Sequence, residues 1–160
     1  MARRAGADAI GKYARFVAKT WSVVGYFGMV AGLLGLLATR QLFSSSPLVI
    51  GIQVLAAILF LWARMTFGLR SFHLAANPTE GGLVRSGPYR MIRHPIYSAM
   101  CLIAAAGAAG NWSWESGLCV ATVVIFAVVR ISCEEPMVAE RYPEYNDYAK
   151  ESWRLIPFVY

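Results

Sequence analysis

The chain has 160 residues, of which 58% are hydrophobic and only 15% are charged, and its mean hydropathy is +0.49. A soluble domain of this length has no use for so much apolar surface, so the composition excludes an ordinary soluble protein. The basic residues that give the formal net charge of +6 flank the apolar runs, and no segment resembles a nucleic-acid-binding module. We therefore expect a membrane protein attracted to anionic headgroups, with no nucleic-acid partner.

The first two apolar runs predict membrane-spanning helices. Residues 21–39 carry no charge and, at about 1.5 Å per residue, cover a hydrocarbon core of roughly 30 Å. Residues 48–63 reach that length only if the helix continues towards Leu69. Residues 7–19 predict a short amphipathic helix on the bilayer surface. The first run is too long for a cleavable signal, so it is interpreted as a signal anchor.

Helix one carries a stripe of small residues at spacings of three, four and three: Gly25, Gly28, Gly32 and Gly35. Such a stripe lets another backbone approach closely in lipid. The alanine- and glycine-rich segment 104–110 offers a partner surface on helix three. Tight packing within the chain is favoured, and an oligomer interface through this glycine face is the alternative.

Two shorter apolar runs, residues 96–110 and 117–129, predict a helical hairpin. The connecting segment would place Trp112 and Trp114 as anchors at the far interface. The expected fold is an all-α integral membrane protein with four transmembrane helices, the last two forming a short hairpin. Three helices plus a re-entrant hairpin is the alternative. The chain is expected to be one domain, 1–160, with an N-terminal part (1–69) and a C-terminal half (70–160).

Charge asymmetry predicts the orientation. Fourteen of the 15 Lys and Arg residues fall on one side of this topology, and only Arg40 falls on the other. By the positive-inside rule the basic side is cytoplasmic. Both termini and the long loop between helices two and three are therefore expected in the cytoplasm.

Polar residues flank the predicted hairpin at its cytoplasmic end. The segment 93–97 precedes one helix, and Glu134-Glu135 follow the end of the next apolar run. Charges at this depth are costly, which favours a functional role. Pro95 fits the first turn of a helix, and Arg130 can reach Glu134 at i,i+4. Irregular backbone around the turn cluster 77–82 can meet a ligand; a basic loop that only anchors headgroups is the alternative.

The C-terminal segment, residues 140–157, predicts an aromatic-rich amphipathic helix on the bilayer surface. Four of its charged side chains are expected to be solvated: Glu144, Asp147, Lys150 and Glu151. Free cysteine commonly behaves as a small hydrophobe, so Cys101, Cys119 and Cys133 are expected to be inert. Their spacing predicts no metal site.

Four motifs together resemble the isoprenylcysteine carboxyl methyltransferase family and the related phospholipid N-methyltransferases. They are Gly87-Pro88-Tyr89-Arg90, Arg93-His94-Pro95-x-Tyr97, Arg130-x-x-x-Glu134-Glu135 and Tyr145-x-x-Tyr148-(x5)-Arg154-x-x-Pro157. The resemblance covers about residues 80–157, in matching order and spacing. Ser98-Ala99 and Tyr142-Pro143 depart from the family pattern at positions that affect packing.

The resemblance implies an S-adenosylmethionine-dependent membrane methyltransferase without a Rossmann domain, acting on a lipidic or small hydrophobic acceptor that enters from the bilayer. The half 70–160 would bind the cofactor through Gly87, Tyr89, Arg93, His94, Pro95, Tyr97, Glu134 and Glu135. Arg93 would pair with the cofactor carboxylate, and His94 would bond its adenine or ribose. Glu134, paired with Arg130, would be the catalytic base for an amine or phenol acceptor.

Two other functions stay open at this stage. One is a non-enzymatic membrane protein that binds anionic lipid through its basic loop. The other is a sterol-type reductase that uses a nicotinamide cofactor at the cytoplasmic ends of its helices. The acceptor of a methyltransferase stays open as well, among a prenylcysteine carboxylate, a phospholipid amine, a quinone-like phenol and a small thiol.

Overall fold

The computed structural model describes residues 2–68 and 82–160, with side chains from residue 11 onwards. The described chain is helical, and its β-structure is limited to an isolated parallel bridge between Ile92 and Trp153. The helices are α1 (Ala2–Ala38), α2 (Pro47–Phe67), α3 (Pro95–Gly110), α4 (Trp114–Arg141) and α5 (Tyr145–Glu151), with a 3₁₀ turn at Gly87–Arg90 before α3. Most of the turn cluster at 77–82 lies outside the described residues.

Within residues 2–68 and 82–160, three helices are long and apolar enough to cross a membrane: Gly11–Ala38, Pro47–Phe67 and Trp114–Arg141. This confirms the expectation of an all-helical chain with long membrane-spanning segments. The fourth apolar helix, α3, has 16 residues, which corresponds to about 24 Å at 1.5 Å per residue. A count of four spans therefore stays a prediction that depends on α3.

Local sequence signals explain where these helices begin. Proline occupies the first turn of both α2 and α3, where its missing N–H costs no hydrogen bond. The N-terminus of α4 has a capping box. The Ser113 hydroxyl accepts from the Ser116 amide at 3.1 Å, and the Ser116 hydroxyl accepts from the Ser113 amide at 3.0 Å. These bonds satisfy amides that the first helical turn leaves unpaired.

The expected helix bounds were wrong at both ends of the chain. Residues 7–19 continue into α1 as one helix of 37 residues. By contrast, Glu134 lies inside α4, as its i,i+4 pair with Arg130 requires, and α4 continues through Pro136 to Arg141. The C-terminal amphipathic helix is only α5, with seven residues, and Tyr145 and Tyr148 on it are buried. Polarity ended each apolar run, but charged residues with good helical propensity allow a helix to continue.

The glycine face of α1 packs within the chain, but against α4 and not against α3 as expected. A β-carbon built on Gly32 would lie 2.8 Å from the Cys119 carbonyl oxygen, and one on Gly35 would lie 2.8 Å from the Cys119 sulfur. α2 packs mainly on α3, and α3 also packs on α4. Leu36, Ala104, Ala108 and Val123 form a core where α1, α3 and α4 meet.

Candidate active site

Three segments converge at the end of the bundle away from the α3–α4 turn. They are the loop that precedes α3, the last third of α4 and the chain after α5. Backbone hydrogen bonds join the first and last of these segments. The Arg93 amide donates to the Trp153 carbonyl at 2.6 Å, the His94 amide to the Arg154 carbonyl at 3.1 Å, and the Trp153 amide to the Met91 carbonyl at 2.9 Å. This pairing brings Arg93 and Arg154 to the same side of α4.

Glu135 is the centre of the first charged cluster. Its Oε1 accepts from Arg93 Nε at 3.0 Å, and its Oε2 accepts from Arg154 Nε at 2.9 Å. Arg154 Nη2 also lies 2.8 Å from Oε2, and His94 Nε2 lies 3.4 Å from Oε1. The Glu135 side chain is only 12% exposed, so this carboxylate needs such partners. Its hydrogen bond raises the pKa of Arg154.

Arg93 links Glu135 to the end of α5. Besides Nε on Glu135, its Nη1 donates to the Ala149 carbonyl at 2.8 Å and to the Ser152 carbonyl. The same nitrogen lies 3.3 Å from the Ser152 hydroxyl. Two of its donor nitrogens are thus engaged by protein acceptors, whereas the sequence analysis assigned this guanidinium to a cofactor carboxylate. The Arg93 side chain is 9% exposed and that of Arg154 is 40% exposed.

Glu134 forms a second cluster with Tyr97 and Arg130. Arg130 Nε lies 2.8 Å from Glu134 Oε1, which confirms the expected i,i+4 pair. The Tyr97 hydroxyl donates to both Glu134 oxygens, at 2.8 and 2.9 Å, and accepts from Arg130 Nε at 2.6 Å. The His94 ring stacks on Tyr97 with 5.6 Å between centroids. His94 Nδ1 lies 4.0 Å from Glu134, so this imidazole lies between the two carboxylates.

Gly87 and Tyr89 lie on the flank of these clusters, in the 3₁₀ turn that packs on α2. Gly87 has φ +57, and a β-carbon there would lie 2.7 Å from the Thr66 hydroxyl oxygen. Both the backbone conformation and the space therefore require glycine. Tyr89 is buried against Phe67, and its carbonyl accepts from the Tyr148 hydroxyl at 2.5 Å. These two residues hold the loop onto α2 and α5, and Pro95 starts α3.

Sequence reasoning missed several residues that contact these clusters. Arg154 belongs to a quoted motif but was not assigned to the site, and neither was Ser152. Tyr145 lies beside Glu135, and burial together with that charge raises the pKa of its phenol. Two further contacts come from α1, at Ser22 and Tyr26. The i,i+4 rule could not find these, because the partners are far apart in the chain.

The sequence model of the family described as phospholipid methyltransferase matches residues 48–145. This segment is about three fifths of the chain and contains both glutamates, Arg130 and the whole Arg93–Tyr97 motif. The chain belongs to the phospholipid methyltransferase family. Neither curated proteins nor solved structures gave a match. The segment shared with the phospholipid methyltransferases starts in α2 and ends at Tyr145, so α1 and Arg154 lie outside it.

Proposed function

We propose that this protein transfers a methyl group from S-adenosylmethionine to a lipidic or small hydrophobic acceptor at the cytoplasmic membrane face. The observation that carries the proposal is the pair of carboxylates, Glu134 and Glu135, held on consecutive residues in the C-terminal third of α4. Family membership supports the methyltransferase class. The cofactor, the acceptor and the compartment are parts of the proposal.

The clusters present charged groups of both signs, as this cofactor does. Three guanidiniums face two carboxylates, so the five side chains carry one excess positive charge. A ligand with a carboxylate as well as cationic groups suits such a mixed site, because each of its charges finds an opposite partner. S-adenosylmethionine has a carboxylate, an ammonium and a sulfonium. Its bound sulfonium supplies the methyl group, so the protein contributes binding and orientation.

Within this proposal, the exposure of each arginine side chain decides its role. Arg154 is the most exposed of the three arginine side chains, at 40%, so we assign it to the ligand carboxylate, which would replace the Tyr160 hydroxyl that lies 3.2 Å from its Nη1. Arg93 is mostly buried and tied to Ser152. Arg93 then positions the segment after α5. Tyr97 and His94 present stacked rings beside Glu134, and an aromatic face near a cation adds about 0.5–2 kcal/mol. Glu134 faces the cationic part of the cofactor, and Glu135 holds both arginines.

The proposed acceptor chemistry depends on Glu134. A carboxylate or thiolate acceptor needs no base. A phospholipid amine or a phenol must lose a proton, and in this proposal the Glu134 carboxylate, oriented by Arg130 and Tyr97, accepts it. Positioning of the acceptor against the methyl group then lowers the barrier by several kcal/mol. We propose that the acceptor enters from the bilayer, since the clusters lie at the end of apolar helices.

Binding of S-adenosylhomocysteine by the purified protein tests the cofactor assignment. Calorimetry in detergent should give a saturable isotherm, and labelled S-adenosylmethionine should transfer its methyl group to a native lipid extract. Diluting that extract with inert lipid at constant bulk concentration should slow the reaction if the acceptor is membrane-embedded. Binding of NADPH instead, or of neither cofactor, would contradict the proposal.

A further inference from the structure

Arg130 connects the candidate active site to α1. The residue is only 5% exposed. While its Nε end contacts Tyr97 and Glu134, its Nη1 donates to the Ser22 carbonyl at 3.0 Å. The guanidinium carbon also lies 5.5 Å from the centroid of the Tyr26 ring. The guanidinium of Arg130 therefore contacts both α1 and the cluster of Glu134 and Tyr97.

The sequence of α1 permits this contact through Gly25. A β-carbon at this position would lie 3.0 Å from the Phe126 carbonyl oxygen and 3.1 Å from the β-carbon of Arg130. Glycine therefore allows the two backbones to approach where Arg130 reaches across. The Ser22 hydroxyl is fully buried and has no hydrogen-bond partner in the described parts of the chain. The main-chain carbonyl of Ser22, and not its hydroxyl, serves Arg130.

A guanidinium is a rigid fork, so holding one end fixes the direction of the other. The Ser22 carbonyl and the Tyr26 ring hold the Nη1 side of Arg130. The Nε side then stays aimed at the Tyr97 hydroxyl and at Glu134 Oε1. Small displacements of a catalytic group lower the rate strongly, because productive geometry is lost. An arginine held only by Glu134 would be free to turn with it.

We propose that α1 positions Arg130, so that the N-terminal helix completes the active site although it lies outside the family-matched residues 48–145. Ser22 and Tyr26 are positioning residues in this proposal, and Gly25 provides their access to α4. The inference rests on the proposed function, in which Arg130 orients Glu134. It adds the requirement that Ser22, Gly25 and Tyr26 of α1 keep Arg130 in place.

Tyr26→Leu and Tyr26→Phe test the aromatic contact. Leucine removes the cation–π contact and should lower kcat about three- to tenfold, with little change in KM or in the affinity for S-adenosylhomocysteine. Phenylalanine keeps the ring and should restore wild-type kcat. Phe16→Leu is the matched control, because Phe16 is an aromatic residue of the same helix, is 67% exposed and should leave turnover unchanged. The substrates are labelled S-adenosylmethionine and a native lipid extract.

Gly25→Ala and Gly32→Ala separate positioning from packing. A β-carbon on Gly32 would meet Val123 and Cys119 at 2.7 and 2.8 Å, closer than any contact at Gly25, and about 10 Å further along α1. If α1 only packs, activity should follow thermal stability, and Gly32→Ala should be the worse variant. If α1 instead positions Arg130, Gly25→Ala should lower kcat about tenfold or more, which is more than its loss of stability explains.

Two results would overturn the inference alone. One is a wild-type kcat in Tyr26→Leu. The other is a loss of kcat that follows the loss of thermal midpoint equally in Gly25→Ala and Gly32→Ala. Both results count only if the wild-type protein binds S-adenosylhomocysteine and transfers methyl groups. A wild-type protein that does neither would overturn the proposed function, and the inference would fail with it. The binding isotherm of the wild type therefore distinguishes the two failures.

Discussion

The two ends of the α3–α4 hairpin are stabilised by different chemistry. At the turn end, where residues 39–46 meet 111–113, the described side-chain hydrogen bonds to the hairpin are neutral. Gln41 Nε2 donates to the Ser113 hydroxyl at 2.8 Å, and Asn111 Nδ2 donates to the Phe43 carbonyl at 2.8 Å. Such bonds suffice to satisfy irregular backbone at the edge of a membrane.

At the opposite end, three guanidiniums, two carboxylates and an imidazole lie within hydrogen-bond or ion-pair distance of one another. Burying such groups costs desolvation energy that their attraction only partly returns, so they add little net stability. At the turn end neither of the charged residues Arg40 and Glu115 is buried, so within the described residues the same fold joins that end without a buried charged cluster. The concentration of charge at the other end therefore has a reason other than stability, which is ligand binding in our proposal.

The largest effect is expected for Glu135→Gln. The substitution leaves Arg93 and Arg154 without their shared carboxylate in a mostly buried cluster. Removing one partner of such a network costs about 3 kcal/mol or more of unfolding free energy, and the segment after α5 should loosen. Denaturant unfolding in detergent measures the loss. Glu144→Gln is the control, because Glu144 is exposed and exposed charges contribute little. Equal stability of the two variants would contradict the role of Glu135 as a hub.

Glu134→Gln should act on the ligand more than on the fold. Glu134 pairs with one guanidinium, from Arg130, and glutamine keeps part of the bonding to Tyr97. A charged hydrogen bond in a partly desolvated site contributes about 1.5–3 kcal/mol, which corresponds to about ten- to over a hundredfold in affinity. Calorimetric titration with S-adenosylmethionine should show this loss in Glu134→Gln, and a comparable one in folded Glu135→Gln. Wild-type affinity in both variants, as in Glu144→Gln, would contradict the cofactor assignment.

The charged end could be predicted only in part from the sequence. The pair Arg130–Glu134 follows from helical periodicity, and Pro95 at the start of α3 follows from the fixed φ of proline. By contrast, Arg93 and Glu135 are 42 residues apart. Their contact depends on the loop that pairs with Trp153, and no local rule gives that path. Hydropathy indicated the apolar helices but not the continuation of α4 from Pro136 to Arg141, because it follows polarity and not backbone hydrogen bonding.

The glycine stripe on α1 gives a similar lesson. Its spacing correctly indicated a close helix contact within the chain, yet both α3 and α4 offered apolar partners. The choice of α4 depends on complementary shape at Val123 and Cys119, which become neighbours only in the folded bundle. Ser22 and Tyr26 escaped notice for the same reason. An aromatic residue and a serine in a membrane helix carry no signal until the arginine that they contact is known.

Tyr148→Phe tests the flank of the charged end at high pH. Burial raises the pKa of Tyr148 to about 12, above its ordinary value near 10. Between these values, the unfolded chain loses this proton while the folded chain keeps it, so the unfolding free energy should fall by about 1.4 kcal/mol between pH 8 and pH 11. The variant should lose about 1 kcal/mol at pH 8, for the bond to the Tyr89 carbonyl, but show a shallower alkaline decline. Urea unfolding at pH 8, 10 and 11 measures both effects. The same alkaline decline in the variant and in the wild type would contradict the raised pKa of Tyr148.

The smallest effect is expected at the turn end, for Gln53→Leu. Gln53 Nε2 donates to the Leu42 carbonyl at 2.6 Å and lies 3.3 Å from the Ile103 carbonyl, which ties the α1–α2 loop to α2 and α3. Hydrogen bonds between membrane helices contribute about 0.6–2 kcal/mol, so the thermal midpoint should fall by a few degrees. Affinity for S-adenosylhomocysteine and turnover should not change, because the turn end carries no ligand group in our proposal. A loss of turnover at unchanged stability would show that the neutral end also takes part in function, and that the contrast between the two ends is wrong.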